Sequence, residues 1–156
     1  MILAALSISL RIIFGAFPNI KPLSAIFLVS LYYFSLSESL LLMAVTMIGS
    51  GILFGFHFVI FWQLISFGIV QILWWYMIRS LVLTGKISIG IQSFFASIFV
   101  FIYGLTISVL TSLQFGVNPI IYWTNGLLFD FLHSISTFLF YPIIYSIFRR
   151  FIHEKN

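Results

Sequence analysis

The chain has 156 residues, of which 62% are hydrophobic and 6% charged, with a formal net charge of +4 and no cysteine. A water-soluble domain carries about 25% charged residues, so this surface is made for lipid; disulfides, thiolate metal sites and cysteine nucleophiles are excluded. Apolar runs of about 20 residues recur, which predicts an all-α integral membrane protein embedded in the lipid bilayer, with no nucleic-acid-binding face. At about 25 residues for each span and its loop, six transmembrane helices fit and a soluble domain does not.

The first helix is expected over residues 2–17. It lacks the basic start and small-residue cleavage site of a signal peptide. Its first half is small-sided, with Ala4, Ala5, Ser7 and Ser9, which favours close helix approach in lipid. Arg11 falls mid-span, where an unpaired charge costs at least about 2.5–3.5 kcal/mol. Pro18 and Pro22 then force a bent, extended link, since proline removes a donor and disfavours helix in the residue before it. This link, Phe17 to Ala25, also carries Asn19 and Lys21 and reads as one wall of a binding site, because non-helical backbone at membrane depth needs protein or water around it.

The second helix is expected over 23–34, ending at the interfacial pair Tyr32 and Tyr33. Ser35 and Glu38 supply caps for a third helix over 40–55. Gly51 and Gly55 form a small-residue motif better explained by packing than by dimerisation. A second break, Gly55 to Phe58, precedes a fourth helix over 59–81 that closes with Trp74, Trp75, Tyr76 and Arg79 as an interfacial anchor. Thr84-Gly85-Lys86 is not a phosphate loop, because the upstream glycine and the following Ser or Thr are missing. A fifth helix over 89–113, a third break at 114–119 and a sixth helix over 123–148 complete the bundle.

With the loops alternating across the bilayer, Arg79, Lys86, Arg149, Arg150 and Lys155 fall on one side and only Lys21 on the other. The positive-inside rule then places both termini in the cytoplasm of a bacterial cell and all three polar breaks outside.

Asn19, Lys21, His57, Trp62, Gln63, Asn125, Asp130 and His133 are the candidate substrate-binding residues. Asp130 and His133, three apart, share a helix face. As an acid–base pair they would make an intramembrane enzyme; as a polar network, Asp130 neutralises Arg11 in a structural ion pair, the reading preferred here. Lys21 and Asn19 suit an anionic or amide-bearing ligand, though a lysine at the interface also snorkels. Trp62 and Gln63 suit stacking and hydrogen bonding to a flat ligand, although Trp62 also fits an aromatic belt. Asn125 reads as a cavity residue or a helix cap. His57 and His133 with so few carboxylates make no zinc set, and neither a metal nor a cofactor is expected.

With these residues in place, the chain resembles the substrate-binding S components of energy-coupling-factor (ECF) vitamin transporters. Arg11 followed by Phe17-Pro18-Asn19-Ile20-Lys21-Pro22 is similar to the family's arginine and PN-x-x-P link. Gly55 through Gln63 is similar to its glycine-rich outer turn with a following aromatic and Gln. Gly126 through His133 is similar to its G-x-P-F-D-x-x-H segment, with Leu128 where many relatives have proline. The family's alanine-x-x-x-alanine docking motif is present only as Ala5-x-x-x-Ser9. The resemblance implies six helices in an S-component bundle and a vitamin captured near the outer surface. It implies a partner interface at Ala5 and Ser9 for a transmembrane scaffold subunit, itself driven by two cytoplasmic ATPase subunits. The protein would then not be an enzyme. The short outer loops lean toward a large ligand such as cobalamin, with pyridoxine, riboflavin or another small heterocycle as alternatives.

Overall fold

Proline, glycine and small polar residues punctuate an otherwise apolar chain, and each punctuation mark becomes a helix end. The structure, a computed structural model, describes residues 2–153; Lys155, which enters the charge reading of the C-terminus, lies outside the described residues. Among the described residues every element is helical: α1 (Ile2–Ile13), a 3-10 turn (Phe14–Ala16), α2 (Leu23–Tyr33), α3 (Leu36–Phe54), α4 (Val59–Met77), α5 (Arg79–Leu83), α6 (Ile89–Phe115) and α7 (Pro119–His153).

Four of them, α3, α4, α6 and α7, are long and apolar enough to cross a membrane, which makes this a multi-pass membrane protein. The first two helices are shorter than the sequence suggests. At 11 residues α2 is about 16 Å long, roughly half a hydrocarbon core. Every residue from Leu23 to Leu31 is buried, as expected of a helix that is apolar on all sides. It is the central post of the bundle and touches every other helix, while α6 and α7 form the most extensive pair around it.

The ends follow capping chemistry. Ser35 and Glu38 form a capping box: the Glu38 N–H donates to Ser35 Oγ at 3.3 Å, and the Ser35 N–H donates to Glu38 Oε2 at 2.8 Å. This starts α3 four residues before the expected position, because Leu36 to Ser39, read from the sequence as part of a link, are its first turn and Ser35 is its cap. At the other end of the molecule, Gly116 closes α6 in the left-handed region with φ 66°. Asn118 Oδ1 accepts from the Ile120 and Ile121 N–H groups at 2.9 and 3.3 Å. Pro119 occupies the first position of α7, where a missing N–H costs nothing.

The expected single fourth helix is broken at Ile78. Arg79 turns back onto α2: its Nε donates to the Leu31 carbonyl at 2.7 Å, and its guanidinium lies 3.9 Å from the centroid of the Trp75 ring. A cation there satisfies an orphan carbonyl at a helix C-terminus. Trp74, read from the sequence as part of an interfacial anchor, is instead inside the bundle, with Tyr32 half-buried beside it. Trp74 is fully buried, its Nε1 donates to Tyr32 Oη at 2.8 Å, and Tyr32 Oη meets Tyr141 Oη at 2.6 Å. Gly51 packs against Ile60 and Phe56 of its own chain, so its small size serves the α3–α4 contact.

Candidate functional site

The three breaks meet at one end of the bundle. Gly15, beside the first, lies against Phe54 at the second. Trp62 Nε1, just beyond the second break, donates to Gln114 Oε1 at the third, at 2.6 Å. Beneath them a cavity of about 50 Å³ is lined by Arg11, Asn19, Lys21, Leu23, Met47, Gln63, Phe67, Tyr103 and His133. These residues come from six segments that are far apart in the chain.

The link between α1 and α2 forms a strap over α7. Asn19, the one non-glycine residue among those described with positive φ (57°), uses Nδ2 to donate to the Phe129 carbonyl at 3.2 Å. Asn tolerates that conformation better than most residues. The Lys21 N–H donates to Ser136 Oγ at 3.0 Å, and the Ser136 hydroxyl donates to the Lys21 carbonyl at 3.2 Å. One turn into α2, Ser24 Oγ lies 2.6 Å from His133 Nε2. The proline-bounded backbone thus finds its polar partners on α7 rather than in water.

The floor is aromatic. The Phe67 and Tyr103 rings lie 4.3 Å apart, and the edge-to-face pair Tyr103–His133 is 5.3 Å apart at 88°. His133 Nδ1 is buried without a hydrogen-bond partner. The walls are cationic. Arg11 NH2 donates to Gln63 Oε1 at 3.0 Å and NH1 to Met47 Sδ at 2.9 Å. The Lys21 ammonium is held below its ordinary pKa, first by burial and then by the Arg11 charge beside it.

Asn19, Lys21, Gln63 and His133 of the eight candidates therefore line one cavity, and the four others stand apart. Trp62 is turned away from the cavity because neighbours in a helix face about 100° apart, so with Gln63 inward Trp62 goes to the rim. His57 is exposed in the second break, and Asn125 is exposed on the outer turns of α7. Asn125 precedes Asp130 by five residues, about 140° around the helix, which puts the two on different faces. Asp130 is buried, but it accepts from Trp123 Nε1 at 3.1 Å and rests on Gly104 of α6.

The expected ion pair is absent: among the described residues Arg11 and Asp130 form none. Arg11 is in the last turn of α1, not mid-span, so the helix dipole favours its charge and Gln63 Oε1 accepts a hydrogen bond from it. Asp130 and His133 bond to different partners, Trp123 and Ser24. Ala5 and Ser9 face outward from α1, whereas Ala4 and Ser7 are buried.

The sequence reading missed Phe67, Tyr103 and Met47, which have no distinguishing signal among so many apolar residues, and it missed Arg11 as a cavity wall. Compared with family models, curated proteins and solved structures, the chain matches none.

The hydrogen bonding predicts a coupling pattern. Arg11→Met and Gln63→Met, combined, should destabilise by about 1–3 kcal/mol less than the sum of the single changes, because each single change strands a buried polar partner. Arg11→Met and Asp130→Asn should add within about 0.5 kcal/mol. A thermal-unfolding double-mutant cycle in detergent checks both; coupling between Arg11 and Asp130 in place of Gln63 would refute the arrangement.

Proposed function

We propose that this protein is the membrane-embedded binding subunit of an ECF-type transporter, taking a vitamin-type solute at the outer face and delivering it inward with an ATPase-bearing partner module. The observation that carries the reading is the polar cavity beneath the proline-bounded strap, at the bundle end opposite Lys86, Arg149 and Arg150. A buried cavity that brings together residues from separate helices is where ligands bind in helical bundles. The motif resemblance through Arg11, Asn19 and His133 adds support, since these residues line that cavity.

In this reading α1 and α2 complete a six-helix S-component bundle, and both termini face the cytoplasm. The cavity, at about 50 Å³, holds one polar end group of a ligand and not a corrin. The ligand is therefore a small solute whose remainder lies in the mouth, and pyridoxine-sized heterocycles fit better than cobalamin. Docking of the scaffold subunit belongs on the outward side of α1, where Ala5 and Ser9 are exposed beside a groove of about 220 Å³ between α1 and α3.

The test joins binding to transport. The purified chain should retain a small solute after detergent extraction, identified by mass spectrometry, and should take it up into vesicles only with its ATPase module. Ala5→Trp with Ser9→Trp should abolish uptake while leaving solute retention unchanged, because close helix approach in lipid depends on side-chain size. Uptake by the chain without any partner would overturn the assignment.

A further inference from the structure

The cavity described above is unusual in its charge. Two cationic side chains, Arg11 and Lys21, line it, and no carboxylate does. The chain has three acidic residues in all. Glu38 is bonded to Ser35 at the opposite end of the bundle, and Asp130 is turned to Trp123. Among the described residues, then, neither cation has an anionic partner. Arg11 is steadied by a neutral amide and a thioether, and among the described residues the Lys21 ammonium has no hydrogen-bond acceptor. The strap fixes Lys21 by its backbone through Ser136, leaving its side chain for the cavity. Proteins rarely set two like charges side by side in a half-buried space, since repulsion adds to the desolvation of each.

The remaining donors fit the same purpose. Asn19 spends one amide hydrogen on Phe129 and keeps the other. Arg11 has five N–H groups and directs two nitrogens at protein acceptors. His133 also lines the cavity, and its Nδ1 is one of several buried side-chain polar atoms without a partner among the described residues.

We propose that the cavity binds the oxyanion end of a small organic acid, with the carboxylate held between Arg11 and Lys21 and the rest of the molecule in the mouth. The inference rests on the capture function above and narrows it: a neutral vitamin or a cation would leave the two charges uncompensated, whereas an anion neutralises one of them on binding.

The experiment uses matched probes on the purified full chain in detergent: benzoate against benzamide, with phenyl phosphate as a second oxyanion, read by thermal shift and isothermal calorimetry. Benzoate or phenyl phosphate should stabilise the protein and benzamide should not; the preferred oxyanion tells carboxylate from phosphate. Lys21→Met should weaken oxyanion binding about ten- to a hundredfold, as expected for loss of a charge-assisted hydrogen bond, without lowering the unfolding temperature of the free protein. Its side chain makes no bond that folding needs, so the variant stays informative even if Arg11→Met fails to fold. Equal binding of benzamide, or oxyanion affinity unchanged in Lys21→Met, overturns the inference. A retained solute that is neutral or cationic also overturns it and leaves the capture function standing. If no solute is retained and no probe binds, both fall together.

Discussion

Trp74→Ala should be among the most destabilising single substitutions in the protein, costing about 3–5 kcal/mol. Trp74 is fully buried, packs edge-on against Phe99 with ring centroids 5.2 Å apart, and lies 6.0 Å from Tyr141. Removing the indole leaves a void that neighbouring helices must collapse into, and lost dispersion contacts count inside a membrane bundle as they do in a soluble core. It also removes the hydrogen bond that Tyr32 Oη accepts from Trp74 Nε1, leaving that hydroxyl only its contact with Tyr141. Trp74→Phe separates the two effects. It keeps most of the packing and loses the hydrogen bond, so it should cost about 1 kcal/mol from that bond and somewhat more from the smaller ring. Unfolding in detergent, followed by thermal scan and by the monodisperse fraction on size exclusion, gives the order: wild type, then Phe, then Ala. If alanine were tolerated as well as phenylalanine, the inner network would not be holding α2, α4 and α7 together.

Gly104→Ala should act at the other end of the same packing. A Cβ at Gly104 would fall on the Asp130 carboxyl group, so α6 and α7 approach as closely as they do only because position 104 has no side chain. One added methyl must push Asp130 off Trp123 or move α7 outward, and overpacking of this kind costs about 1–3 kcal/mol. Tyr103, the next residue, lines the cavity, so the displacement should also weaken solute retention severalfold. Shortening the opposing side chain relieves the clash: Gly104→Ala with Asp130→Ala should be more stable than the sum of the single effects predicts. Strict additivity in the thermal unfolding of the four proteins would show that the contact at 104 has slack.

What the sequence disclosed, and what it hid, divides along physical lines. Pro18, Pro22, Gly55, Gly116 and Asn118 announce the breaks because backbone chemistry acts locally and is readable one residue at a time. Asn19, Lys21, Gln63 and His133 were legible as site residues because a polar side chain in an apolar run needs a partner somewhere. Which partner it finds is a question of rotation about each helix axis, and periodicity is uninformative when a helix is apolar all round. Hence Trp62 and Asn125 looked like neighbours of cavity residues and lie on other faces. Arg11 illustrates a second limit. Its pairing was inferred from the cost of a charge at mid-span, and that premise fails because α1 stops at Ile13, two residues beyond it. Phe67 and Tyr103 had no signal at all: in a chain with 20 phenylalanines and seven tyrosines, which rings form the floor is decided only by packing.

The half-length α2 bears on how the chain is made. A helix of 11 residues cannot hold a transbilayer position alone, and four of the hydrogen bonds that hold it and the strap before it run to α7, more than 100 residues later. Asn19 to Phe129, Lys21 to Ser136, Ser24 to His133 and Tyr32 to Tyr141 join positions separated by 110, 115, 109 and 109 residues. During synthesis the N-terminal hairpin must therefore wait, incompletely housed, until α7 leaves the ribosome. Long-range closure of this kind is slow, and it makes the docking of α7 the step that fixes the strap and α2 in place. A ribosome stalled before Phe129 would leave the strap and α2 without these four partners, held only by α1, α3, α4, α5 and α6.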